Sequence, residues 1–365
     1  MKLAFYAPFK PLDHPRPSGD LTTALGLTRY LAARGHQVEV ASRFRARNLA
    51  SHPWLWPAAA LEALRAGRTR ADVWLTHHAY YKSPDVIGPW ASRRMGVPYV
   101  IFQGIFSTKR RKDPATWLGF ELNRRSLLAA DMVFSNRLLD MENLRRLLPE
   151  KRLCYVAPGI DPGAFTRDPE AGRRLRATWG TGERPVIVSV AMFRDDVKSQ
   201  GMRYLISRLG RLDRDFLLVL GGDGETRREL EELARQHLPG RTVFLGQVSR
   251  ENLYQVYSAA DLFVFPGIRE SLGMVYLEAQ AAGVPVVAFD NGGIPEVTRP
   301  GETALLTPPF DDDAFLHAVS TLLDSPDLRR TMATAAAGYV RKHHDAKANF
   351  AVVEERLLEL IGRPA

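Results

Sequence analysis

Two doubly wound α/β domains are what this chain predicts, on three observations. Short apolar runs alternate with amphipathic stretches throughout its 365 residues. Several runs, such as Val73-Trp74-Leu75 and Tyr99-Val100-Ile101-Phe102, are continuously apolar, as expected of parallel strands covered on both faces. One break, Ala157-Pro158-Gly159-Ile160-Asp161-Pro162-Gly163, puts two prolines and two glycines where no helix or central strand can continue. The length itself suits two domains of ordinary size.

In the first half the pattern predicts strand 2–7, helix 20–34, strands 37–41 and 72–76, helix 85–95 and strand 98–102. Helix 115–129, strand 131–134, helix 137–147 and strand 152–156 follow. The second half repeats the pattern, with strands 185–190, 216–220, 242–245, 261–265, 285–289 and 303–306. Its helices fall near 201–210, 225–236, 250–258, 274–282 and 312–323, then 326–343 and 346–362. The expected domains are 1–165 and 166–345, with 346–365 a terminal helix returning toward the first. Ligands of such sheets sit beyond the carboxyl ends of the strands, so the domains are expected to face one another across a cleft.

With 45% hydrophobic and 25% charged residues, the chain is globular in composition. No apolar run approaches the length of a membrane span. The opening MKLAFYAPFK lacks the apolar core and cleavage site of a signal peptide. Cys154 is the only cysteine, which excludes an internal disulfide framework and a cysteine-rich zinc site. A cytoplasmic protein is the expectation. Charge is unevenly spread: residues 1–165 carry 25 Lys and Arg against 13 Asp and Glu, and residues 166–365 carry 25 against 28. A basic half points to a polyanion or an anionic surface as partner, or to a solvated basic face.

The sharpest constellation is Phe265-Pro266-Gly267-Ile268-Arg269-Glu270-Ser271-Leu272-Gly273-Met274-Val275-Tyr276-Leu277-Glu278, which follows a strand and opens a helix. Ser271 to Val275 would present free backbone N–H groups at the helix start, an anion site. Glu270 and Glu278 flank it, placed to hold sugar or ribose hydroxyls; otherwise Glu270 and Ser271 only cap the helix and Glu278 lies on the surface.

This stretch resembles the retaining glycosyltransferases of family 4, whose E-x7-E motif Glu270 and Glu278 match. The resemblance continues through Ala281-Ala282-Gly283-Val284-Pro285-Val286-Val287-Ala288 and Gly292-Gly293-Ile294-Pro295-Glu296-Val297. It also covers Gly221-Gly222-Asp223-Gly224, Phe244-Leu245-Gly246-Gln247-Val248 and Arg34-Gly35-His36-Gln37-Val38. It implies the GT-B fold, two Rossmann-like domains, and transfer of a sugar from a nucleotide-sugar donor to a glycan or lipid-linked hydroxyl in cell-envelope polysaccharide synthesis. It implies no cofactor and no metal. On it, Lys198 and Arg194 hold the donor diphosphate, Glu270 contacts the donor sugar and Glu278 the ribose. Gly19, Gly222, Val248, Ser271, Leu272, Gly273, Met274 and Val275 line the donor. The family's arginine would fall at Met192 or Phe193, so Arg194 has to reach from a shifted position. Gly19, in Pro17-Ser18-Gly19-Asp20, matches a glycine loop near the donor phosphate, and is equally a plain helix start. The family's positioning histidine is replaced by Gln103, which can hydrogen-bond but cannot act as an acid; His77 or His78 compensates, or both are loop residues.

Gly222 to Arg227 lacks the third glycine of a dinucleotide fingerprint. Asp213-Arg214-Asp215 precedes its strand, and Asp311-Asp312-Asp313 starts a helix, where carboxylates suit the dipole; neither is placed for a metal. Lys109, Arg110, Arg111 and Lys112 with Trp117 and Phe120 suggest a membrane contact, an acceptor-phosphate site, or a solvated face. Other expected readings are a GT-B phosphorylase or nucleotide-sugar epimerase, and a nucleic-acid-binding protein using the basic half. The last lacks any recognisable binding motif.

Overall fold

The apolar runs pair as parallel strands of two separate six-stranded sheets in the computed structural model, which describes residues 1–15 and 18–362. Pro17, quoted above ahead of Gly19, and residues 363–365 lie outside the described residues. The chain divides into two units, Met1–Ala157 with the chain from Ala346 onward, and Pro158–Asp345. The change therefore falls between Ala157 and Pro158 rather than near residue 165. Pro158–Phe165 belongs to the second unit because Ile160 and Phe165 are buried in that unit's core, and the Ile160 N–H donates to His344 O at 2.9 Å.

The first unit runs β1 (Lys2–Tyr6), α1 (Gly19–Ala33), β2 (Gln37–Ser42), α2 (Trp56–Ala66), β3 (Val73–Ala79), α3 (Gly88–Met95), β4 (Tyr99–Gly104), α4 (Pro114–Ala129), β5 (Met132–Ser135), α5 (Leu138–Arg145) and β6 (Leu153–Tyr155). Its sheet order is β2-β1-β3-β4-β5-β6. Alternate strand residues feed two cores. Phe5, Val100 and Phe102 pack with Leu27 and Leu31 of α1 on one face. Trp74, Tyr99 and Ile101 pack with Ala63, Ala91 and Leu127 of α2, α3 and α4 on the other.

The second unit runs α6 (Pro169–Thr178), β7 (Val186–Val190), α7 (Val197–Leu209), β8 (Leu217–Gly221), α8 (Arg227–His237), β9 (Thr242–Gly246), α9 (Leu253–Ala259) and β10 (Leu262–Val264). It continues with α10 (Met274–Ala281), β11 (Val286–Phe289), α11 (Ile294–Val297), β12 (Ala304–Thr307), α12 (Asp312–Asp324) and α13 (Pro326–His343). Its sheet order is β12-β11-β10-β7-β8-β9. The last helix, α14 (Ala346–Leu360), packs Phe350, Val353 and Leu357 into the α1 face of the first unit.

Several helical details differ from the sequence reading. α2 is absent from the sequence reading; Pro57 sits in its first turn, where proline costs no hydrogen bond. α6 was also missed, although Asp168 caps it and Pro169 opens it. α7 begins at Val197 rather than residue 201, capped by Asp196.

Candidate functional site

Where the strand order of a doubly wound sheet reverses, the loops leaving the two central strands diverge and open a crevice. In the second unit this point lies between β7 and β10. Two sequence-predicted residues meet there: Lys198, after β7, and Glu270, after β10, form an ion pair through Nζ and Oε2. The early start of α7 places Lys198 in its first turn, where its N–H donates to the capping Asp196 at 2.8 Å. The ammonium also lies 5.6 Å from the centroid of the buried Phe265 ring. Its side chain keeps 29% exposure against 11% for Glu270, so a ligand can reach the cation.

The loop carrying Glu270 is fixed from behind. The Gly293 N–H donates to Glu270 O at 3.1 Å. A Cβ on Gly292, whose φ is +61°, would stand 2.0 Å from Glu270 O, and one on Gly293 2.1 Å from Ser271 O. Only glycine allows this turn to lie against the loop, which gives the quoted Gly292-Gly293 pair a physical role.

Gly273, at φ +67°, precedes the first turn of α10. The Ser271 N–H is not free, since Glu270 Oε1 accepts it at 3.1 Å. Among the described residues, the N–H groups of Leu272, Gly273, Met274 and Val275 find no protein acceptor. The anion-binding set is therefore one residue shorter than expected.

Glu278 is not a surface residue. It is 3% exposed, with Oε1 at 3.0 Å from Arg250 Nη2 and Oε2 accepting from Tyr257 Oη at 3.3 Å. Burial pushes its pKa up, against the opposing charge of Arg250 and the Tyr257 hydrogen bond. Arg250 keeps 46% exposure, so it can give up Oε1 to an incoming hydroxyl.

Arg194 does not join the Lys198–Glu270 pair. Phe193 is buried and its carbonyl accepts the Thr226 N–H at 3.1 Å, which turns the next side chain outward; the exposed Arg194 guanidinium lies 3.0 Å from Met192 Sδ. Gly222 fastens loops together: its N–H donates to Gly246 O at 2.8 Å, and a Cβ there would stand 1.8 Å from Ala191 O. Val248 is half-buried against the second unit's core.

In the first unit the strand order reverses between β1 and β3. Gly19 opens α1 with Ser18 as its cap, Ser18 Oγ accepting the Leu21 N–H at 3.3 Å and Lys10 Nζ at 2.9 Å. Gly19 is thus part of a capped helix start. Beside it, Asp20 Oδ1 takes a hydrogen bond with His78 Nδ1, and His77 Nδ1 lies 3.9 Å from the same oxygen. Burial alone would raise the Asp20 pKa, but the charges of His78 and His77 and the His78 hydrogen bond outweigh it and hold the carboxyl below its usual range. His77 is 1% exposed, and burial pushes its pKa down to about 4. Among the described residues, neither His77 nitrogen has a hydrogen-bond partner, nor does Gln103 Oε1. Leaving a polar group buried and unpaired costs about 1–3 kcal/mol. The Asp20–His78 pair was invisible in the sequence, where the two stand 58 residues apart.

The acidic run Asp311–Asp313 is otherwise engaged. Asp311 Oδ1 accepts the Ala314 N–H at 2.9 Å as the cap of α12, and Asp312 pairs with Arg208 at 2.6 Å. Among the described residues no three His, Cys, Asp or Glu side chains converge as a metal site would need. No described helix is long and apolar enough to cross a membrane.

Lys109, Arg110, Arg111 and Lys112 are exposed, and Arg110 lies over the Tyr81 ring at 4.5 Å. Trp117 is 51% exposed, but Phe120 is buried against Phe106 and cannot contact a surface. Arg124 and Arg125 are paired with Glu121 at 2.8 and 3.0 Å. The same helical layer exposes Trp54, Leu61 and Leu64 on and before α2, which the sequence reading missed along with that helix.

Residues 174–338 match the family model described as glycosyl transferases group 1. The GDP-mannose-dependent alpha-(1-6)-phosphatidylinositol monomannoside mannosyltransferase of Mycolicibacterium smegmatis is 36% identical over 201 residues, 52% of this chain and 51% of that protein. The D-inositol 3-phosphate glycosyltransferase of Actinosynnema mirum is 30% identical over 282 residues, 72% of this chain and 67% of that protein. The chain thus spans about half the length of the first relative and two thirds of the second. Anabaena HepE in complex with UDP superposes with a TM-score of 0.77 at 20% identity, over 98% of this chain and 100% of that one. At that identity the likeness is one of fold, the two-domain GT-B architecture.

Proposed function

This chain belongs to the group 1 glycosyl transferases, and on that premise we propose that it transfers a sugar, with retention, from a nucleotide-sugar donor to a hydroxyl of a glycan or lipid-linked acceptor, as a family 4 enzyme. The observation that carries this reading is the Lys198–Glu270 pair at the strand-order reversal of the second unit, beside the free N–H groups of Leu272 to Val275. Preorganised cations and amides stabilise negative charge as it develops on a leaving diphosphate. Lys198 and the amides take that role, and Glu270 holds donor sugar hydroxyls. The exposed Arg194 side chain adds a second cation only if it swings away from Met192. Glu278, exchanging Arg250 for ribose, holds the nucleotide. Gln103 and His77 belong to the acceptor side, and the leaving phosphate takes the acceptor's proton.

Saturation-transfer NMR against GDP- and UDP-sugars tests donor binding. Glu278→Gln should weaken that binding by about 1.5–3 kcal/mol, the worth of a hydrogen bond to a charged group, while Tm shifts little because shape is kept. Unchanged affinity would remove Glu278 from the donor site. With the diphosphate charge met by protein groups, transfer should continue in EDTA; activity lost in chelator and restored by Mn²⁺ or Mg²⁺ would refute this part of the reading.

The cations at 109–112 and the exposed Trp117 support peripheral contact with an anionic membrane surface.

A further inference from the structure

The loop that carries Glu270 is closed around one buried ring. Tyr276, in the first turn of α10, is fully buried and packs on Phe263 and Phe265, at 5.5 and 6.4 Å between ring centroids. Phenylalanine would serve that packing equally well, yet a hydroxyl is present and donates to Phe265 O at 3.0 Å. Burial and the nearby Glu270 charge hold the phenol well above its ordinary pKa, so it stays a donor.

Both ends of the loop are shaped to this side chain. A Cβ on Gly267, whose φ is +73°, would collide with Tyr276 Oη, and one on Gly273 would stand 2.9 Å from Tyr276 Cδ2. Only glycine lets the chain pass so close to the phenol at these two points. Between them the Glu270 N–H donates to Gly267 O at 3.1 Å, which ties the glutamate to the residue seated on the hydroxyl. Phe265, whose carbonyl accepts from Tyr276, is also the ring beside the Lys198 ammonium. From behind, Gln280 Nε2 donates to Tyr276 O at 3.0 Å and to Val297 O, at the end of α11, at 2.8 Å. A hydroxyl in an apolar core is desolvated, and its hydrogen bond does little more than offset that cost. What the hydroxyl adds is a fixed distance between α10 and the loop.

We propose that Tyr276 is a positioning residue whose hydroxyl, through Phe265 O and Gly267, sets where Glu270 meets the hydroxyls of the donor sugar. This rests on the reading of Glu270 as a donor-sugar contact and adds the residue that places it.

The test is saturation-transfer NMR on the full chain, below the Tm of each variant, with UDP-glucose, GDP-mannose, UDP and GDP as probes. A nucleotide sugar bound to the wild type should show saturation on both its hexose and its ribose protons. Tyr276→Phe should lower the hexose signal about threefold or more relative to the ribose signal, with nucleoside-diphosphate affinity kept within about twofold. Gly267→Ala, which displaces the hydroxyl from the other side, should do the same. In a Glu270→Ala background nothing is left to position, so Tyr276→Phe should lower the hexose signal no further. Hexose signals like the parent's in Tyr276→Phe, or an equal further loss in the Glu270→Ala background, would overturn the inference. So would a fall in nucleoside-diphosphate affinity parallel to the hexose loss, the mark of a residue that only supports the fold. A wild type that binds none of the four probes would count against the transferase reading itself, and the inference would fall with it.

Discussion

Lys198→Ala should slow transfer by roughly 10²–10³-fold, the usual cost of deleting one preorganised group that meets developing negative charge. The loss should fall mainly on kcat, because the diphosphate carries more charge as it leaves than when it is bound. Lys198→Arg should recover little, since a guanidinium fork cannot take the place of an ammonium held between the Glu270 carboxylate and the Phe265 face. Glu270→Gln separates the two halves of the pair: it keeps shape and hydrogen bonding to the sugar but frees Lys198, so turnover should fall less than in Lys198→Ala. Steady-state kinetics with a transferred nucleotide sugar, alongside Tm, check both. A Lys198→Ala enzyme within a few-fold of the wild-type rate would take the lysine out of the chemistry.

Replacing Lys109, Arg110, Arg111 and Lys112 by Ser should abolish sedimentation with vesicles containing anionic lipid. Each basic residue near such a surface contributes about 1 kcal/mol, so four together are worth about a thousandfold in partition. Wild-type binding should fall steeply with salt, because screening acts over about 8–10 Å. The apolar part is tested separately: Trp54→Ser with Leu61→Ser and Leu64→Ser removes exposed hydrophobic surface while leaving the charges, so it should weaken binding without changing its salt dependence. If the quadruple variant pellets like its parent, this surface is not the anchor. If it loses transfer to a soluble phosphorylated acceptor while still pelleting, the four cations hold acceptor phosphate instead.

The parallel sheets were legible because their strands are buried on both faces and read as unbroken apolar runs. Glu270 and Lys198 were named through the family resemblance and the helix start beyond Gly273 through its motif, and the structure brings Lys198 and Glu270 together at strand ends. What escaped was set by three-dimensional neighbours. Arg194 points outward because Phe193 is drawn into the core, which a one-residue spacing argument cannot show. Glu278 is buried against Arg250 and Tyr257, both distant in sequence. The left-handed backbones of His78 and Gln103 were not legible, because histidine merely adopts the conformation more often than most residues and glutamine has no preference for it. The helices α2 and α6, absent from the sequence reading, did carry a signal, a proline in the first helical turn.

The placement of α14 has a consequence for the order in which the molecule is completed. The sheet of the first unit is translated first, but Phe350, Val353 and Leu357, which seal one of its faces, are translated only after the entire second unit. Glu354 of the same helix accepts from Tyr30 Oη at 2.8 Å and lies 2.8 Å from His36 Nε2, so α1 also waits for it. During synthesis, Leu27, Leu31 and Phe102 remain without their cover while a complete second unit folds behind them. The growing chain therefore carries an unfinished apolar face for most of its time on the ribosome, the kind of surface that chaperones bind and that aggregates when they do not.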